Sequence, residues 1–207
     1  MPETTLVRDE TKLAAILDAA LSVFAEHGLR GADVQEIADA AGVGKGTVYR
    51  YFGNKQDLFW ATTLEVIRRI ECRVREAIVP GGSAIETLRK MSVGYARLFH
   101  DDRRYLELFA QQHAEFRFTE PDSHKARHEE LMRCCVEVVE EGIDSGQLRR
   151  VDPVKTVNAL GGLVYGNILH GFYCYENTNQ HGREDILRTV ELALDLFLEG
   201  LRAPRSG

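Results

Sequence analysis

The sequence is poor in proline and cysteine, has no long apolar run, and carries no excess of positive charge. Five prolines in 207 residues leave long stretches without a helix breaker. The four cysteines, Cys72, Cys134, Cys135 and Cys174, form no C-x-x-C pair. Neighbours such as Cys134 and Cys135 point different ways on a helix and rarely bridge each other. Reduced thiols acting as small core hydrophobes in a cytoplasmic protein are expected instead. The longest apolar stretch, ALGGLVYGNIL, is too short and too polar for a bilayer, which takes about 20 apolar residues. The polar, acid-bearing start MPETTLVRDETK does not read as a signal peptide. A formal net charge of −6 argues against a protein that coats nucleic acid indiscriminately, but leaves room for a local basic face.

What is present is helical periodicity. Leu13, Ile16, Leu17, Ala20, Leu21 and Phe24 recur at intervals of three and four residues, one stripe of an amphipathic helix that Gly28 ends. Asp33 followed by Glu36 has the spacing of a capping box for a second helix, with Val34, Ile37, Ala38 and Ala41 inward. Gly42 breaks that helix, and Val43 and Val48 anchor a short third one. Asn54 caps a long fourth helix reaching about Val79, before the stop at Pro80 to Gly82. Ser83 and Glu86 open the next, to about His100, and further helices follow over about 102–116 and 122–144. Asp152 before Pro153 marks the start of a helix to about Tyr175, and a last one covers about 183–201. No alternating strand pattern and no internal repeat occur. An all-α fold is expected, divided into a three-helix domain over 1–53 and a larger helical domain over 54–207.

The segment GVGKGTVYRYFGNK, Gly42 to Lys55, decides between functions. Its letters approach a phosphate-binding loop, but Gly46 stands where the magnesium-binding hydroxyl belongs, and a helix precedes it rather than a strand. Asp39 occupies the position of the loop's first glycine, where its charge would repel phosphate. Helix, glycine turn, short helix is instead a helix-turn-helix, whose second helix enters the major groove of DNA. Val43 and Val48 seat that helix, leaving Lys45, Gly46, Thr47, Tyr49 and Arg50 to face outward, with Lys55 at the start of the next helix. Cations suit phosphates and guanine edges, hydroxyls suit phosphates, and the threonine methyl suits thymine. Residues 1–60 hold six Lys/Arg against nine Asp/Glu, a net of −3, yet Gly42 to Gln56 holds three cations and no acid. Binding is therefore expected to use a small docking face, not a broad positive field.

The string from Ile16 to Phe59, with IADAAGV through the turn and KGTVYRYF followed by NK, closely resembles the DNA-binding domain of the tetracycline-repressor-like (TetR) family. The resemblance covers about the first quarter of the chain. It implies a homodimeric regulator of a palindromic double-stranded operator, with the last two helices pairing between subunits and a small organic effector in the larger domain. Two departures stand out. Gly44 replaces a frequent serine and so removes a hydroxyl, and Asp33 replaces a common serine or threonine cap and would repel a nearby phosphate.

Beyond the motif, Gly162 and Gly166 put small residues on one helix face, and Ile186, Leu187, Val190, Ala193, Leu194 and Phe197 form a broad apolar stripe on the last helix. Aromatics collect at Trp60, Tyr95, Phe99, Phe109, Phe116, Phe118, Tyr165, Phe172, Tyr173 and Tyr175. Among them Tyr95, Phe99, Phe109 and Tyr165, with His170, are candidates to line an apolar pocket for a hydrophobic or amphipathic effector. A DNA-binding protein of the same fold without an effector, architectural or partner-controlled, remains open on the sequence. His113, Glu115, Asp122, His124 and His128 have some metal-ligand character, His124 and His128 lying one helical turn apart, but solvated histidines explain them better. No catalytic grouping and no cofactor motif is identifiable, so an enzyme is not expected.

Overall fold

The computed structural model describes residues 3–79, 81–116, 121–175 and 181–203; Phe118 and Pro80 lie outside the described residues, as do the side chains of His113, Phe116, Cys174 and Tyr175. The described residues form helices α1 (Glu3–Gly31), α2 (Val34–Ala40), α3 (Lys45–Phe52), α4 (Lys55–Glu76), α5 (Ala84–Asp101), α6 (Arg103–Phe116), α7 (Asp122–Asp144), α8 (Pro153–Tyr175) and α9 (His181–Glu199). Among them there is no strand, only an isolated bridge between Leu148 and Arg202. The fold is all-α. It divides into two compact units, Met1–Arg68 with Arg103–His124, and Arg69–Asp102 with Lys125–Gly207, so the division falls within α4.

The first unit is built on α1. Ile16, Ala20 and Phe24 are fully buried on its inner stripe, together with Ile37 of α2 and Leu58 and Phe59 of α4. The rings of Phe24 and Phe59 meet edge to face, 5.2 Å between centroids, a favoured aromatic geometry. At Gly28 the backbone turns left-handed (φ 70°), a conformation that costs glycine little, and α1 kinks there before one more turn. From α6, Gln111 donates to the carbonyl of Ala25 at 3.1 Å and Arg104 to the Ser22 hydroxyl at 2.7 Å, fastening α6 along α1.

His124, in the first turn of α7, is buried against the Trp60 ring. Its Nε2 lies 2.8 Å from the Trp60 carbonyl oxygen and 2.9 Å from the Thr63 hydroxyl. A carbonyl can only accept, so Nε2 carries the proton and donates it there. That nitrogen is therefore committed to α4, which argues against the metal-ligand pairing of His124 with exposed His128.

In the second unit α8 and α9 pack through regular stripes: Val157, Leu160, Val164, Ile168 and Phe172 face Ile186, Val190, Leu194 and Leu198, all buried. Fully burying such a side chain contributes about 1.5–3 kcal/mol. The close approach expected at a small residue occurs at Gly171, where a Cβ would collide with Ile186. Gly162 and Gly166, and Gly161 beside them, instead face open space. Gly142 of α7 is a second tight point, where a Cβ would stand 2.6 Å from both the Ala84 Cβ and a Leu148 methyl. Ser83 caps α5 by accepting from the Glu86 N–H at 3.5 Å, and Gln147 accepts from the Ala84 N–H at 2.9 Å. Asp152 caps α8 by accepting from the Lys155 N–H at 3.0 Å, as its place before Pro153 predicts. On α4, Glu71 is gripped by Arg75 at 2.9 Å and by Arg127 of α7. Burial pushes its carboxyl pKa up, but the two guanidiniums outweigh burial and hold it below the usual range.

Candidate nucleic-acid interface

The turn between α2 and α3 follows from two hydrogen bonds and one glycine. Val43 N–H donates to the Ala38 carbonyl at 2.9 Å and Gly42 N–H to that of Asp39 at 3.1 Å, with Gly42 left-handed at φ 67°. This is the Schellman arrangement, which satisfies the last carbonyls of α2 and reverses the chain within two residues. Gly44 then takes the N-cap position of α3 in an extended conformation, without a side-chain cap bond. At the other end of α2, Asp33 caps by accepting from the Gln35 N–H at 2.8 Å. Glu36 sits 3.6 Å from His27 Nε2 instead of closing the reciprocal half of a capping box.

Within α3 only Val48 is fully inward, as its place in the sequence predicts. Gly46, Tyr49 and Arg50 are exposed, with Tyr49 at 41% of its surface, while Lys45 and Thr47 are half-buried. A Cβ at Gly46 would meet nothing within 4 Å, so its backbone is open to close approach. The Arg50 guanidinium lies over the Tyr51 ring, 5.5 Å from its centroid. Tyr51, which the sequence did not single out, donates its hydroxyl to Asp9 at 2.8 Å and so ties α3 to α1. A contact across 42 positions leaves no local signal.

Lys55 has a role that its position in the motif does not reveal. Its ammonium donates to the carbonyls of Arg30 and Ala32, at 3.1 and 3.0 Å, bracing the end of α1 against the start of α4. Lysine has three donors, so one is left for a phosphate. Asn54 and Asp57 lock the same corner: Asn54 accepts from the Asp57 N–H at 2.8 Å and donates to its carboxylate at 2.6 Å.

Residues 16–62 match the family "Bacterial regulatory proteins, tetR family", and residues 81–167 match "Tetracyclin repressor-like, C-terminal domain". The chain belongs to the TetR family. Similar proteins span nearly the whole chain. The repressor AcnR of Corynebacterium glutamicum is 26% identical over 85% of this chain and 88% of its own. The fatty acid metabolism regulator protein of Bacillus subtilis is 26% identical over 92% of this chain and 95% of its own. The solved structure of the fatty acid degradation regulator FadR from Bacillus halodurans superposes with a TM-score of 0.74 at 25% identity, over 92% of this chain and 100% of that one. This TetR-family chain is thus a DNA-binding transcriptional regulator and not an enzyme, and no described helix is long and apolar enough to cross a membrane.

The structure brings together three of the five effector candidates. Tyr95 and Phe99 of α5 stack edge to face at 4.9 Å, and Phe99 meets Tyr165 of α8 at 6.2 Å. Burial raises the pKa of both tyrosine hydroxyls, more for Tyr95, so each stays protonated and able to donate. Phe109 lies on α6 in the first unit, where Trp60 also sits. His170 is exposed on α8, one turn from exposed Gly166 and Tyr173. With Val154 of α8 and Leu192 and Leu196 of α9, Tyr173 belongs to the large apolar side chains left more than half exposed.

Proposed function

We propose that the chain is a homodimeric repressor that binds a palindromic operator through α3 and is released by a hydrophobic or amphipathic small molecule. The observation that carries the DNA half is the geometry of α3: a glycine turn presents Gly46, Tyr49 and Arg50 outward while Val48 alone is fully buried. Lys45, Gly46, Thr47, Tyr49, Arg50 and Lys55 form the contact set. Residues 1–53 serve as the reading domain, and residues 54–207 carry effector binding and dimerisation. The pairing face is the exposed side of α8 and α9, which carries exposed Leu192, Leu196 and Tyr173 and the open positions Gly162 and Gly166. His170 goes with this face more readily than with a pocket.

Tyr49→Ala should weaken operator binding with little change in thermal stability, because Tyr49 is exposed. Lys55→Ala should weaken binding too, lowering the salt slope by about one. The two carbonyl contacts of Lys55 add a cost in stability of about 1–3 kcal/mol, which Tyr49→Ala lacks. Anisotropy titrations across a salt series, beside melting curves, check both variants. Unchanged affinity in either removes that residue from the contact set.

Support for an effector comes from the Tyr95–Phe99–Tyr165 cluster, an apolar surface with two hydroxyls, and from the similar Bacillus protein named as a fatty acid metabolism regulator. Fatty acids of graded chain length are the first probes. A true effector prefers one of two conformations, and reciprocity requires operator DNA to weaken its binding by the same factor. A coupling of about 1–3 kcal/mol is expected in titrations with and without operator. Equal affinities in the two titrations would make any bound molecule a passenger and favour a DNA-binding protein without an effector, architectural or partner-controlled.

A further inference from the structure

Three cations lie between Gly42 and Gln56, and each has a partner inside the protein. Arg50 rests on the Tyr51 ring and Lys55 on two carbonyls, neutral partners that leave the positive charge uncancelled. Lys45 faces an anion: its Nζ lies 3.5 Å from Asp33 Oδ1. The two residues stand twelve positions apart, at the starts of α3 and α2, and the glycine turn brings them together. Both remain substantially exposed, at 41% and 65% of their side-chain surface, so a DNA backbone approaching α3 meets the pair and not a free ammonium.

We propose that Asp33 limits the affinity of this chain for DNA by competing with the phosphate backbone for the Lys45 ammonium. The inference rests on the assignment of Lys45 as a DNA contact. Asp33 is ionised at neutral pH: the Gln35 N–H foremost, with Lys45 and Lys55 behind it, holds its carboxyl below the ordinary range and outweighs the opposing effect of burial. An exposed ion pair is weak and exchanges readily, so the carboxylate does not block docking. It imposes a penalty shared by every duplex, because phosphates carry no sequence information. Non-specific binding, which is almost wholly electrostatic, is suppressed along with operator binding. A regulator whose first 60 residues already carry a net −3 would then reside on DNA only where base contacts by α3 make up the difference.

The test uses the full-length chain, a mixed-sequence duplex, and a duplex that the wild-type chain selects from a random pool. Asp33→Asn keeps the cap, since asparagine caps as well as aspartate, and removes the charge. Its affinity for both duplexes should rise about fivefold at low salt, with the gain shrinking as the Debye length falls to about 3 Å at 1 M. Asp39→Asn makes the same charge change elsewhere on α2, where Asp39 accepts from Gln35 at 2.8 Å, and should shift affinity less than about twofold. In a Lys45→Ala background the Asp33→Asn gain should shrink to less than about twofold, as a double-mutant cycle requires of two coupled residues. The remainder is the carboxylate's effect on Lys55 and on phosphate. Equal gains from Asp33→Asn and Asp39→Asn, or a gain undiminished without Lys45, overturns the competition. Asp33→Ser, which also caps, repeats the test if the asparagine variant melts early. Lys45→Ala binding like wild type would sink the contact assignment itself. Weakened binding by Lys45→Ala with no gain from Asp33→Asn would sink this inference alone.

Discussion

Replacing Leu192 and Leu196 together by glutamate is expected to yield a folded monomer whose operator affinity is at least about 100-fold below that of the wild type. Both side chains are mostly exposed, at 61% and 72%, while the buried stripe of α9 runs through Ile186, Val190, Leu194 and Leu198. The substitutions therefore leave the α8–α9 core intact. A second copy seated on this face would have to bury two carboxylates, each costing several kcal/mol without a partner. On the proposed dimer, losing the pairing loses the operator, because one recognition helix covers only a few base pairs. Specificity needs two, in major grooves about 34–36 Å apart. The neutral pair Leu192→Ser and Leu196→Ser should act in the same direction, separating lost apolar burial from added charge. Sedimentation gives the mass and anisotropy the affinity. A glutamate variant that stays dimeric and binds operator as before would move the interface away from α8 and α9.

These leucines also mark where the sequence stops being legible. The periodicity of α9 identifies Ile186, Val190 and Leu194 but misses buried Leu198 and includes half-buried Phe197. Leu192 and Leu196 lie outside the stripe in the run LALDLFLEGL, where an apolar residue follows at nearly every step. Which leucines point outward is settled by the packing of α5 and α8. The glycines of α8 show the same limit. All are equally small in sequence, yet Gly171 meets Ile186 while Gly162 and Gly166 meet nothing.

Local chemistry was more readable. The caps at Asp33, Ser83 and Asp152, the left-handed Gly42 and the bounds of α7 and α8 all follow from neighbours within a few residues. So does the outward face of α3, with Val48 buried and Gly46, Tyr49 and Arg50 exposed. Contacts between distant segments do not: Tyr51 with Asp9, Lys55 with Arg30 and Ala32, and His124 with Trp60 each join helices that share no local pattern. The aromatic candidates fail to sort for that reason. Phe109 and Tyr95 look alike at helical spacing, and only the packing assigns one to each unit.

Phe59→Ala is the other substitution with a large expected effect, and it falls on the platform beneath the reading helix. Phe59 is fully buried, edge to face with Phe24 on one side and with Trp60 on the other, at 5.2 and 5.9 Å. It follows Lys55 by one helical turn on α4, so its packing supports the same corner that Lys55 braces. Truncating a core phenylalanine costs about 3–5 kcal/mol, part of it the cavity left behind. In a unit of this size the melting midpoint should fall by about 15 °C or more. The chain has one tryptophan, Trp60, which adjoins Phe59 and reports on this unit. Its emission should therefore shift well before the helix signal from α5, α8 and α9 is lost. DNA binding should disappear with the tryptophan transition, because α3 keeps its orientation only while α1 and α4 hold it. A Trp60 midpoint within about 3 °C of wild type would mean that α1 and α4 relax around the cavity. The Phe24–Phe59 pair would then not be what fixes the reading helix.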